Sequence, residues 1–315
     1  MVYANPYTQI IGNMDSSGMI DRTAWLFRKH FKDYLIVSMV TFALPFVIFV
    51  SLLIATQTDY FVTRSYDKIT SLFVVGSVIV FPTCMTIFSV WSEMAISYYT
   101  HKRIHLEEVD WWQACIATTS YIIPNLLVKT VQIGITIVVG IVAVFAVFVP
   151  IIGSLLYFWI VIGAYTYLTA LFPIITIAEP HTPFIRRLAR NRSLVGAKII
   201  PCFTTATVGT FILAGLLFLM YISLGLSLYW VVIPYFKQLN DGELSIRTLN
   251  QILSIIFTIL TAGVFMLAVP TKPIFYTMMY YSLVSYKEAY HLEYQIKMYQ
   301  KMMQAYDEYE NKKAV

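Results

Sequence analysis

Six apolar stretches, each long enough to cross a bilayer as a helix, constrain this chain more than any other feature. They lie near 34–55, 72–98, 126–149, 154–178, 203–232 and 252–283. A hydrocarbon core about 30 Å thick takes roughly 20 residues of helix. The third and fourth stretches are joined only by Pro150-Ile151-Ile152-Gly153 and together are too long for one crossing, so they predict a tight hairpin. Composition agrees: 58% of the residues are hydrophobic and 12% charged, where soluble domains carry about 25% charge. With 13 Gly, 12 Pro and 3 Cys, the collagen, low-complexity and disulfide-scaffold classes are excluded. The pattern predicts an all-α, polytopic integral membrane protein with six transmembrane helices.

The first strongly apolar run begins only at Tyr34, after Asn5, Gln9, Asn13, Asp15 and Asp21, which predicts no cleavable signal. The chain divides into an N-terminal segment (1–33), a six-span domain (34–283) and a C-terminal segment (284–315). Placing both termini in the cytoplasm puts all the Lys and Arg inside except Arg64, Lys68, Lys237 and Arg247, out of 22 in total. That asymmetry sets the orientation. The net charge of +5 then sits on the cytoplasmic face, where anionic lipid headgroups attract each basic residue by about 1 kcal/mol. Nucleic acid is not expected as a partner, because no folded basic domain accompanies the charge.

Three cytoplasmic segments read as amphipathic helices. Residues 19–33 mix Trp25, Leu26, Phe27 and Phe31 with Arg22, Arg28, Lys29 and Lys32, a composition suited to the headgroup plane. Residues 183–198 set Arg186, Arg187, Arg190 and Arg192 against Phe184, Leu188 and Val195. Guanidinium groups pair bidentately with phosphate, so these four arginines are the expected contacts to lipid headgroups or a partner. In the tail, Leu292, Ile296, Tyr299, Met303 and Tyr306 recur at spacings of 3 and 4. That seam predicts docking on another subunit or a second copy.

Charges inside spans are the first place to look for chemistry. Glu93, Lys129 and Glu179 all fall near the inner ends of their spans, and Lys129 is expected to pair with one of the two acids. His101 and His105 share a helix face, but Lys102 and Arg103 stand between them and oppose a metal cation. A solvated interfacial helix is the expected role there. Cys84, Cys115 and Cys202 have no metal spacing, and no catalytic constellation, cofactor motif or metal site is predicted. Pro45, Pro82, Pro173, Pro270 and Pro273 predict kinked or interrupted spans.

The order of features has a likeness. Gly18-Met19-Ile20-Asp21-Arg22 with Trp25-Leu26-Phe27-Arg28 opens the first span. Leu171-Phe172-Pro173 through Glu179 closes the fourth, followed by Arg190-Asn191-Arg192-Ser193. Pro273-Ile274-Phe275-Tyr276 through Tyr280-Tyr281 closes the sixth. Over about residues 15–295 this resembles the prokaryotic six-span family named after the membrane domain of glycerophosphoryl diester phosphodiesterases. Family members often follow the paired tyrosines with Asp, a hydrophobic residue and Arg, whereas Ser282, Leu283 and Val284 stand here. The resemblance implies a prokaryotic inner membrane and no enzymatic activity, because catalysis in that family belongs to a soluble domain. The expected function is a non-catalytic scaffold or accessory subunit acting through its basic face. The alternative is a transporter or lipid-handling protein that uses the kinked spans and the charged layer.

Overall fold

The computed structural model describes residues 16–62, 81–144, 150–227 and 268–288, together with 296, 297, 299, 300 and 303. Among these residues the regular secondary structure is all helix, with no strand. In chain order the helices are α1 (Ser16–Lys29), α2 (Phe31–Val62), α3 (Phe81–Ile104), α4 (Trp111–Ala117), α5 (Ile122–Val144), α6 (Pro150–Leu168), α7 (Phe172–Ala178), α8 (Phe184–Ala197), α9 (Ile199–Ser227) and α10 (Thr271–Glu288). A 3-10 turn at Thr119–Tyr121 joins α4 to α5.

Four stretches are long and apolar enough to cross a membrane: Phe31–Ile48, Trp111–Gly134, Trp159–Ala178 and Ile199–Met220. They fall on the first, third, fourth and fifth expected spans. The third begins at Trp111, well before the expected 126, and runs through α4 and the 3-10 turn. For the second and sixth, residues 72–80 and 252–267 lie outside the described residues. Their described parts, α3 and α10, carry too many polar side chains to qualify by themselves. Large apolar side chains face outward on the crossing helices, among them Leu44, Val47, Ile123, Phe218 and Leu219. Such a surface is unsuited to water and suited to lipid.

Several prolines mark where helices begin. Pro124, Pro173, Pro201 and Pro273 each occupy the second or third position of their helix, where the missing N–H would have had no intrahelical partner. Pro45, expected to kink or interrupt the first span, lies within a helix that continues without a break from Phe31 to Val62. Pro173 divides the expected fourth span into α6 and α7, with turn backbone at 169–171.

The helices converge on α10. Ile274, Met278, Met279, Tyr281, Leu283 and Val284 are buried along its length. They join one core with Met19 and Leu26 of α1, Tyr34 and Val37 of α2, Ile96 and Tyr99 of α3, Ile174 and Ile175 of α7, and Leu194 and Val195 of α8. Helices α1 and α8, expected to lie in the headgroup plane, dock their apolar faces on this core. Helix α10 runs past the expected domain boundary at 284, with Val284 and Ser285 buried. At its end, Lys287 Nζ donates to the Ser193 carbonyl at 3.2 Å, and Lys198 Nζ stands 3.8 Å above the Tyr286 ring. These contacts fasten α10 to α8.

The exit from α3 is a Schellman turn. Glu107 N–H donates to the Lys102 carbonyl at 3.0 Å and Leu106 N–H to the Arg103 carbonyl at 3.1 Å. Leu106 takes the left-handed conformation (φ 58°) that this turn requires and that usually falls to glycine. The reversal brings Val109 back to Arg103, whose Nη2 donates to the Val109 carbonyl at 3.2 Å.

Candidate functional site

The charged layer expected from the sequence separates into two centres. In the first, Lys129 Nζ of α5 and Lys272 Nζ of α10 both donate to Glu93 Oε1 of α3 at 2.9 Å. Glu93 and Lys129 side chains are 18% and 16% exposed, and Lys272 is 36% exposed. Burying a carboxylate costs several kcal/mol unless it is paired and hydrogen-bonded, and here two ammonium groups share one oxygen. Lys272 also stands 4.6 Å above the Tyr165 ring of α6, with the Tyr276 ring edge-on to Tyr165 at 5.6 Å. The centre therefore ties four helices and carries two cations against one anion.

In the second centre, Glu179 accepts from Arg190 Nε at 3.0 Å and from the Tyr280 hydroxyl at 3.2 Å. Lys129 thus reaches Glu93 and not Glu179. Of the four α8 arginines, Arg187 is 8% exposed and donates from Nη2 to the Pro180 carbonyl at 2.8 Å, while Arg190 is held by Glu179. Arg186 and Arg192 alone of the four remain exposed. The expectation that all four contact lipid headgroups or a partner is corrected for Arg187 and Arg190, whose guanidinium groups serve the turn before α8.

Asn191, which the sequence marks only as a member of the run Arg190-Asn191-Arg192-Ser193, repairs the break between α6 and α7. Ala170 N–H bonds to the Tyr165 carbonyl at 3.0 Å, one residue further back than a regular α-helical bond. This shift removes the regular donor to the Thr166 carbonyl. Leu171 N–H goes to Asn191 Oδ1 at 2.8 Å, so the Tyr167 carbonyl loses its regular donor too. Asn191 Nδ2 supplies both, donating to Thr166 O at 3.2 Å and Tyr167 O at 2.6 Å. One fully buried amide thereby answers one donor and two acceptors.

The histidine pair is not the solvated surface expected. His101 Nδ1 hydrogen-bonds the Tyr281 hydroxyl of α10, and the His105 ring lies 4.5 Å away. His105 Nδ1 donates to the His101 carbonyl at 2.8 Å. Burial, reinforced by His105 and Lys102, pushes the His101 pKa down to about 3, so this imidazole is neutral and acts as a hydrogen-bond anchor. Nearby, the Tyr99 hydroxyl donates to Asp33 Oδ2 at 2.5 Å and accepts from Arg103 Nε at 2.9 Å, joining α2 to α3. Among the described residues no group of His, Cys, Asp and Glu is arranged to hold a metal.

Beside the Glu93 centre lies a cavity of about 760 Å³. Helices α1, α3, α5, α6, α9 and α10 form its walls, which are mainly apolar, with Phe27, Ile133, Ile137, Val161, Leu213 and Phe275 among them. Its polar contributors include Lys129, Lys272, Gln132, Tyr165 and Arg28. Gln132 Nε2 donates to Thr169 Oγ1 at 2.9 Å, which fixes the amide where α6 ends. The volume falls within the roughly 300–1,000 Å³ of small-molecule sites, and a mainly apolar lining with a few convergent polar groups is their usual chemistry.

Of the expected tail seam, Ile296, Tyr299 and Met303 are 58%, 63% and 61% exposed. Leu292 and Tyr306 lie outside the described residues. No protein-family model, curated protein or solved structure matches this chain.

Proposed function

We propose that this chain is a six-span membrane protein that binds an amphiphilic small molecule between its helices, a non-enzymatic lipid-handling role. The carrying observation is the 760 Å³ cavity, apolar along most of its wall and cationic where it meets Glu93. A purely apolar pocket would suit a hydrocarbon, and a polar one a solute. Both characters in one cavity suit a molecule with a chain and a charged end. On this reading the protein is a relative of the family it resembles, placed in a prokaryotic inner membrane. The scaffold reading rests on the basic cytoplasmic face and on the tail seam, of which Ile296, Tyr299 and Met303 are exposed; the cavity is the more specific feature.

Filling the cavity tests the binding role. Ile133 lines it and is 48% exposed, so Ile133→Trp has room to enter without disturbing the buried core. We expect this variant to lose saturable binding of a fluorescent long-chain amphiphile, while Phe218→Trp on the outer face keeps it. Equal binding by both variants refutes the cavity as the site.

The same proposal places both termini and the 179–183 loop in the cytoplasm. Impermeant thiol labelling of single cysteines in intact cells should modify positions 68 and 238 and spare 181 and 314. Labelling in the opposite sense at any of these overturns the orientation.

A further inference from the structure

We infer that the charged end of the ligand is a phosphate monoester, seated on Lys129 and Lys272 with Arg28 at the adjoining wall. This inference rests on the amphiphile-binding reading and adds the headgroup to it. Three cations face the cavity and one carboxylate, Glu93, opposes them. Two positive charges are left for a ligand to neutralise. A long-chain phosphate monoester carries about −1.5 to −2 at neutral pH and presents three strong acceptor oxygens. A carboxylate amphiphile brings one negative charge, and a neutral glyceride brings none.

The donor geometry points the same way. Each lysine ammonium has three N–H donors, and Glu93 takes a bond from each through one oxygen, Oε1. Because both nitrogens lie 2.9 Å from that oxygen, they are no further apart than twice this distance. Two ammonium groups at that spacing can be bridged by the oxygens of one phosphate. Lys272 is the more exposed of the two lysines. The Tyr165 ring covers one side of its ammonium at 4.6 Å, and the lysine itself forms part of the cavity wall. The apolar wall of Ile133, Leu213 and Phe275 then accepts the chain.

The test is a competition on the purified full chain, delipidated in detergent and read by native mass spectrometry. The probes are oleoyl-lysophosphatidate, 1-oleoylglycerol, which is the same chain and glycerol without phosphate, and oleate. Inorganic phosphate is the fourth arm. We expect the lysophosphatidate to win over the glyceride by roughly tenfold or more, the scale of a charge-assisted contact. Lys272→Met should bring that ratio near one while keeping glyceride binding, and Lys272→Arg should restore most of it. Lys272→Met leaves Glu93 paired with Lys129, so the fold survives; Arg28→Gln, at an exposed residue, should lower the preference independently. If the glyceride or oleate binds as tightly as the lysophosphatidate, the headgroup inference fails and the amphiphile reading stands. If no long-chain probe binds, or phosphate alone binds equally well, the amphiphile reading fails with it.

Discussion

Glu93→Gln is expected to be one of the two most damaging conservative changes in the molecule. The variant keeps the shape of the side chain and removes its charge. Lys129 and Lys272 would then face each other across a neutral amide, each desolvated and repelled by its neighbour. Breaking a buried ion pair by removing one partner costs about 3–5 kcal/mol. At 18% side-chain exposure we expect roughly 3 kcal/mol, which lowers the apparent Tm in detergent by about 5–10 °C for a chain of this size. The lysines differ from the acid in being redundant: after Lys129→Met, Lys272 still neutralises Glu93, and the reverse also holds. Each lysine variant should therefore cost less than Glu93→Gln. Adding Lys129→Met to Glu93→Gln should recover part of the loss, because one of two opposed cations is gone. If either lysine variant is as damaging as Glu93→Gln, the shared-oxygen arrangement does not govern stability.

The second large effect is expected at Asn191. Asn191→Ala leaves the Leu171 N–H and the carbonyls of Thr166 and Tyr167 without the partners they have in the native fold. An unsatisfied buried group costs about 1–3 kcal/mol, so three together should exceed about 3 kcal/mol even after relaxation. Asn191→Asp keeps the acceptor for Leu171 but turns a carboxyl oxygen toward two carbonyls. We expect both variants to give little folded protein and a thermal transition well below that of the parent. Measuring both separates the amide's donors from its bulk. An Asp variant that melts with the parent would show that the two Nδ2 bonds contribute nothing.

What the sequence shows and what it hides divide along one line. Features local to a single segment are legible: apolar length found α2, α5, α6 and α9, which carry stretches long and apolar enough to cross a membrane, and the mixed basic and apolar patterns found α1 and α8. Glu93, Lys129 and Glu179 were visible as charges at one depth. Partners distant in sequence were not visible. Lys272 lies 179 residues from Glu93 and reads as one more basic residue of the inner face, until α10 folds beside α3. Asn191 has no signal of its own, because the groups it satisfies exist only where Pro173 has broken another helix. The four arginines of α8 look equivalent in sequence, yet Glu179 and the Pro180 carbonyl turn two of them inward. His101 looked solvated for the same reason, since Tyr281 lies 180 residues away. The cavity itself needs six helices in place before it exists, so no stretch of sequence contains it.

The most direct measurement of the central claim is the load that the protein carries from its own membrane. Native mass spectrometry of the full chain, extracted under mild conditions, should show one amphiphile per protein that survives removal of detergent. The same preparation of Ile133→Trp should be bare. A wild-type protein that emerges bare, or a filled-cavity variant that carries the same load, would contradict the account.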